Sequence, residues 1–138
     1  MQRGDIVRAA ALFEAARAVR PGDAVAAIDL AVVRARQGDV QGALVLVDEV
    51  LEREPDRLTA RLNAGRYRLR LGDLDGASKD FTTAQARAPG DPAPLVGLAR
   101  VAQARADRAA ARRLVQQAQK LSPDDPEARA LGKELDRP

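Results

Sequence analysis

The sequence predicts an all-α fold, an α-solenoid of about eight helices in which an antiparallel helix pair recurs every 34 residues. The first observation behind it is a column of prolines at this spacing: Pro21, Pro55, Pro89 and Pro123. The second is composition, since 46% of the 138 residues are hydrophobic but only 2% are aromatic, which leaves Ala, Leu and Val to build the core. The third is a pair of apolar segments at helical spacing in every period. All three observations favour closely packed helices over strands.

The period from Ala24 to Arg57 shows how one unit is built. Its first segment, Ala24–Gln37, has apolar residues on more than one face, as expected of a helix that is buried on one side and lines a groove on the other. Gly38 is expected to end that helix in the left-handed conformation, and Asp39 to cap the next one. The second helix is predicted over Val40–Arg53, and Pro55 closes the unit.

The same pattern predicts one domain over residues 1–138 with three full repeats, at 24–57, 58–91 and 92–125. In the third repeat Ala106 takes the place of the turn glycine, where a left-handed alanine costs about 1 kcal/mol. Asp91-Pro92 and Asp125-Pro126 combine a capping residue with a proline, which is typical of a helix start.

The two ends are predicted to be half-repeats. Residues 1–23 supply only a second helix, from Ile6 to about Val19, with Met1–Arg3 as a stub of its partner, and residues 126–138 supply a capping helix over Glu127–Asp136. The side of the first helix with Ile6, Ala10 and Phe13 is expected to lack a neighbour. Two interpretations stay open: the chain is a fragment of a longer repeat protein, or a second copy covers this side by self-association.

The residues needed for most catalytic sites are absent. The chain has no histidine and no cysteine, and its only serines, Ser78 and Ser122, have no base partner. The stretch Asp73–Gly76 does not match a calcium loop, because Leu71 falls at the first ligand position and Thr82 at the glutamate position. We therefore expect no enzymatic activity, no cofactor and no metal, and we interpret Asp73 as a helix cap.

Charge and hydropathy limit the partners and the compartment. The net charge is only +3, and no segment approaches the roughly 20 apolar residues of a membrane span. A basic group consists of Arg66, Arg68, Arg70, Arg100, Arg105, Arg108, Arg112 and Arg113. With one tyrosine in the chain for base stacking, this group does not predict nucleic-acid binding. The sequence predicts a soluble protein, without deciding between cytoplasm and periplasm.

The columns of this repeat resemble the tetratricopeptide repeat family, and the resemblance covers essentially the whole chain. Small residues occupy the eighth and twentieth places of the repeats: Ala31, Gly65 and Ala99, then Ala43, Ala77 and Ala111. Large apolar residues occupy the twenty-fourth: Val47, Phe81 and Val115. The sequence departs from the family at the fourth place, where Ala27, Arg61 and Leu95 replace tryptophan, and at the eleventh, where Arg34, Arg68 and Ala102 replace tyrosine.

The resemblance implies a right-handed superhelix whose concave side is lined by the first helix of each repeat. The candidate peptide-binding residues on that side are Val25, Ile28, Val32, Arg36, Leu62, Asn63, Arg66, Leu69, Arg70, Val96, Arg100 and Gln103. Among them Ile28, Leu62 and Val96 are expected to form an apolar stripe bordered by arginines. The implied ligand is a peptide or protein with apolar anchors and acidic residues.

Other interpretations of the concave side remain open. Its apolar residues could be packed away and its arginines simply solvated, in which case the repeats are a structural spacer in a larger assembly, such as a bacterial secretion or envelope scaffold. A third interpretation is an accessory domain of an enzyme. The carboxylate clamp by which some family members hold chaperone tails is not expected, because only Asn63 matches its pattern.

Overall fold

The computed structural model describes residues 3–19 and 22–138, and these residues form eight α-helices without a strand. The helices are α1 (Arg3–Val19), α2 (Ala24–Arg36), α3 (Val40–Arg53), α4 (Leu58–Leu71), α5 (Leu74–Arg87), α6 (Ala93–Ala104), α7 (Arg108–Leu121) and α8 (Pro126–Asp136). The predicted all-α repeat fold is confirmed. Met1, Gln2, Arg20 and Pro21 lie outside the described residues.

Each helix packs against its neighbours in the chain, and every second helix also meets its counterpart in the next repeat. Helix α4 contacts α2 and α6, and α6 contacts α8, so α2, α4, α6 and α8 form one layer. Helices α1, α3, α5 and α7 each pack against helices of this layer. Because α8 belongs to the first layer, that layer has four described helices, one more than the three that the full repeats provide.

The turns are built as the sequence predicts. Asp39 and Asp73 accept hydrogen bonds from the backbone N–H groups three residues ahead, at 2.8 and 2.9 Å. Gly38 and Gly72 have φ values of 92° and 85°, and Ala106 keeps the same left-handed turn with φ 60°. An alanine therefore occupies a conformation that favours glycine.

Helix α1 differs from its prediction at both its start and its exposed side. It begins at Arg3, so Gly4 lies inside the helix instead of in a turn. Phe13 is half-buried against the α2–α3 core, whereas Leu12 is 71% exposed. Leu12 stands in the column of Leu46, which is 1% exposed and packs in the core that α2, α3 and α4 share. The uncovered side of α1 is therefore the one with Leu12.

The core between α4, α5 and α6 is organised around Phe81, a fully buried aromatic ring. A Cβ atom at Gly65 would lie 2.7 Å from this ring, and one at Gly97 would lie closer still. Val47 and Val115 occupy the corresponding places in the other repeats, where no such glycine pair is present. The two glycines thus make room for a side chain that is larger than its counterparts.

Candidate functional site

The predicted apolar stripe lies below the surface. Ile28, Leu62 and Val96 are 6%, 8% and 1% exposed, because neighbouring helices of the first layer close over the fifth place of each repeat. They contribute to three separate parts of the core. The expectation of a continuous open stripe is therefore wrong, and a ligand meets this column only where a cavity opens above it.

Such a cavity lies between α4 and α6 and has a volume of about 250 Å³. We call it the α4–α6 cavity. Its apolar floor consists of Leu69, Phe81, Ala93, Val96 and Gly97. Its charged rim consists of Arg66, Arg70, Arg100 and Glu127. Five of the predicted site residues meet here: Arg66, Leu69, Arg70, Val96 and Arg100.

The cavity lies where α6 comes close to the Phe81 ring at Gly97. A Cβ atom at Gly97 would overlap this ring, so the ring takes the space that a side chain at this place would need. The same place in the other units holds Asp29 in α2, which is half-buried, and Asn63 in α4 and Leu131 in α8, which are buried. At this junction of two repeats Gly97 and the Phe81 ring together form part of the cavity floor.

Two rim arginines have no ionic partner in the part of the chain that the structure describes. Arg66 donates a hydrogen bond only to the amide oxygen of Asn63, at 3.3 Å, and Arg70 forms no ion pair. Between them Tyr67 points into the core. Burial raises the pKa of the Tyr67 phenol, although the charges of Arg66 and Arg70 oppose this shift. Both guanidinium groups are exposed and available to an external anion.

The remaining candidate residues are spread along the first layer. Val25, Arg36 and Gln103 are exposed, and Asn63 is buried. Val32 and Arg36 line a second cavity of about 230 Å³ between α1 and α2, together with Phe13. The structure thus brings only part of the predicted set together.

The repeat pattern also matches family models. One model described as tetratricopeptide repeat covers residues 1–64 and 68–135, and another covers residues 43–92. The chain belongs to the tetratricopeptide repeat family. Among curated proteins, none is significantly similar in sequence.

Solved tetratricopeptide repeat structures superimpose on nearly the whole chain. TTC0263, a thermophilic member from Thermus thermophilus, is 25% identical, with a TM-score of 0.86 over 96% of this chain and 73% of its own. YrrB, which has an unusual peptide-binding site, is 23% identical, with a TM-score of 0.72 over 89% of this chain and 63% of its own. The Cut9–Hcn1 hetero-tetramer of the APC/C matches at 18% identity and a TM-score of 0.86 over 97% of this chain, but only 27% of the matched chain is covered. The last two likenesses show the fold alone.

The departures from the family pattern in the second repeat are explained by a buried carboxylate. Asp80 is 4% exposed and stands where Leu46 and Leu114 stand in the other repeats. It accepts hydrogen bonds from Arg61 at 3.2 Å and from Arg68 at 2.6 Å. These arginines occupy the tryptophan and tyrosine places of the tetratricopeptide repeat. An Arg–Asp–Arg arrangement therefore replaces aromatic packing between α4 and α5.

Arg68 extends this arrangement to the preceding repeat, and we call Asp48, Arg61, Arg68 and Asp80 the Asp80 cluster. The Arg68 guanidinium lies 2.7 Å from Asp48 of α3. Burial by itself lowers the pKa of Arg68, but hydrogen bonds and charges from Asp80 and Asp48 outweigh it and raise that pKa. One repeat earlier, Arg34 pairs with Glu14 of α1 in the same way.

Sequence reasoning did not predict the Asp80 cluster, although a signal was present. Arginines at the fourth and eleventh places occur together only in the repeat that has an aspartate in place of a leucine at position 80. The third repeat has Leu95 and Ala102 at the fourth and eleventh places, and Leu114 at the place that corresponds to Asp80. Comparing the columns pairwise would have linked the three substitutions.

The described residues offer neither a metal site nor a membrane span. No group of three or more carboxylates within ranges 3–19 and 22–138 is arranged to hold a metal ion. None of the described helices has the length and apolar character to cross a bilayer. Several members of the predicted basic group bind within the protein, since Arg105 pairs with Asp75 and Arg108 donates to the backbone carbonyl of Leu135.

Proposed function

We propose that this chain is a non-catalytic protein-interaction module that binds a peptide segment in its first helical layer, with the α4–α6 cavity as the anchor point. As a tetratricopeptide repeat, it has the fold of a protein–protein interaction module. The observation that supports the proposal is an apolar cavity whose rim includes two arginines, Arg66 and Arg70, that form no ion pair with any described residue. An arginine next to an apolar depression favours a ligand with a carboxylate beside an apolar side chain.

The size of the cavity favours a side chain over a small molecule. Pockets for small molecules and cofactors usually measure about 300–1,000 Å³. The α4–α6 cavity, at about 250 Å³, is smaller and suits one apolar side chain such as leucine. Affinity then depends on this anchor and on charge-assisted hydrogen bonds from Arg66 and Arg70, each of which contributes about 1.5–3 kcal/mol.

The test uses a fluorescein-labelled peptide with one central leucine flanked on both sides by glutamates, which we call the acidic peptide. Arg70→Glu is expected to weaken its binding, measured by fluorescence anisotropy, by about tenfold or more, which corresponds to about 1.4 kcal/mol. Replacing the leucine of the peptide by serine should weaken binding to the wild-type chain similarly.

The matched control is Arg113→Glu, which makes the same charge change on an exposed residue of α7. It should leave the affinity within about twofold, since it lies away from the cavity. Equal losses in Arg70→Glu and Arg113→Glu would mean that the peptide responds to net charge and not to the groove. A wild-type chain that binds neither peptide would favour the structural spacer instead.

A further inference from the structure

Helix α8 lies beside α6 in the first layer and contributes to the groove that contains the α4–α6 cavity. Glu127, in the first turn of α8, lines this cavity together with Arg66, Arg70 and Arg100. Glu134, two turns further along α8, lies 3.9 Å from the Arg100 guanidinium. These two glutamates stand 34 residues after Ala93 and Arg100, so they occupy concave places of a fourth unit.

The charge of the groove therefore changes sign across its width. Helix α2 contributes the apolar Val25 and Val32, and α4 contributes Arg66 and Arg70. Helix α6 contributes Arg100, and α8 contributes two carboxylates. A ligand that crosses the cavity from α4 to α8 passes from a positive wall to a negative one.

The pairing of Arg100 with Glu134 does not remove this change of sign. The two groups are 3.9 Å apart and both are well exposed, and ion pairs of this kind contribute little to stability. Glu127 forms no ion pair with any residue in the described ranges. A ligand cation could therefore take the place of Arg100 beside Glu134 at little cost, while Arg100 turns to a ligand carboxylate.

We propose that the groove selects a segment with charges of both signs on either side of its apolar anchor. A carboxylate of the ligand faces Arg66 and Arg70, and a lysine or arginine of the ligand faces Glu127 and Glu134. This selectivity rests on the proposed function, since it concerns the same groove. Packed helices lie about 8–10 Å apart, so α4 and α8 are separated by about 16–20 Å. An extended segment covers that distance in about five or six residues.

The probes are the acidic peptide and two mixed peptides, each with a central leucine, glutamates on one side and lysines on the other, in both chain directions. The wild-type chain is expected to bind the better mixed peptide about threefold to tenfold more tightly than the acidic peptide. Replacing both glutamates, as Glu127→Gln with Glu134→Gln, should abolish or reverse this preference, because the negative wall is lost and Arg100 is released.

The control variant, Asp5→Asn with Glu52→Gln, removes two exposed carboxylates outside the groove and should keep the wild-type order of affinities. If the wild-type chain prefers the acidic peptide, or if the Gln variant keeps the wild-type preference, the inference is wrong. That result leaves the proposed function intact provided that Arg70→Glu still weakens the binding of the acidic peptide and of the better mixed peptide. If Arg70→Glu weakens the binding of neither of these two peptides, or if neither binds, the proposed function itself is wrong.

Discussion

Helix α4 has two arginines on each side, and the two pairs have different surroundings. Arg61 and Arg68 are largely buried and bind the carboxylate of Asp80, and Arg68 also binds Asp48 of the preceding repeat. Arg66 and Arg70 are exposed at the cavity rim, without an ionic partner in the described parts of the chain. All four lie in the same helix, and three of them (Arg66, Arg68 and Arg70) belong to the predicted basic group, so composition alone would assign them one role.

The difference lies in what the neighbouring helices supply. Helices α3 and α5 contribute carboxylates on one side of α4, and removing such a partner would leave a largely buried cation without its counter-charge, which destabilises the fold. Helix α6 contributes a glycine, apolar residues and Arg100 on the other side, where Arg66 and Arg70 form no ion pair with any described residue. Arginine on this helix therefore has a structural role on one face, and on the other we assign it to ligand binding.

The largest effect is expected from removing the carboxylate on the structural face. Asp80→Ala leaves Arg61 and Arg68 without their shared partner in a largely buried site, which should lower the free energy of unfolding by about 3–5 kcal/mol in urea denaturation. Asp75→Ala removes an exposed carboxylate paired with Arg105 and should cost no more than about 1 kcal/mol. Equal losses in the two variants would remove the contrast between the faces of α4.

The next effect concerns the floor of the groove. Gly97→Ala places a methyl group against the Phe81 ring and should destabilise the fold by about 1–3 kcal/mol. Phe81→Val introduces the residue found at this place in the other repeats and should relieve the clash. In the double variant the two losses should therefore be clearly less than additive. Additive losses would show that the glycine does not make room for the ring.

A smaller effect separates stability from binding. Ala106→Gly relieves the left-handed alanine in the α6–α7 turn and should raise the free energy of unfolding by about 1 kcal/mol. Ala106 belongs neither to the lining of the α4–α6 cavity nor to the Asp80 cluster, so the affinity for the acidic peptide should stay unchanged. A gain in stability that also changed the affinity would show that the two properties are not independent.

The smallest effect is confined to alkaline solution and concerns Tyr67, between the two groove arginines. Burial raises its pKa in the folded state, so between the unfolded and folded pKa values the folded chain binds more protons. Stability is therefore fully present below the ordinary tyrosine pKa of about 10 and falls as the pH rises beyond it. Tyr67→Phe should reduce this fall. Since Tyr67 is the only tyrosine, its phenolate absorbance reports the titration directly.

The sequence predicts the helices and turns of the fold because the same residue types recur at equivalent places of successive repeats. Asp39 and Asp73 recur at one spacing beside turn glycines, and the same column predicts the left-handed turn at Ala106 where the glycine is missing. Three aligned copies thus identify caps and turns that a single copy would leave ambiguous.

The sequence does not predict how deeply a side chain is buried or which residues on neighbouring helices pair with each other. Periodicity places Leu62 and Leu69 on one side of α4, but only the separation of α4 from α6 decides that Leu62 is buried and Leu69 lines the cavity. The partner of Asp80 depends on contacts between helices that the repeat pattern does not specify. Glu127 was predicted only as part of a capping helix, because the concave places were assigned in the three full repeats alone.

The most direct test of two separate faces compares Arg68→Gln with Arg70→Gln in both unfolding and binding of the acidic peptide. Arg68→Gln should lower the free energy of unfolding by about 1.5–3 kcal/mol and leave the affinity unchanged, because it breaks charge-assisted hydrogen bonds to Asp80 and Asp48. Arg70→Gln should lower the affinity for the acidic peptide by about tenfold and change the free energy of unfolding by no more than about 0.5 kcal/mol. Equal losses of stability in the two variants, or an Arg68→Gln variant that weakens peptide binding as much as Arg70→Gln does, would contradict separate roles for the two faces of α4.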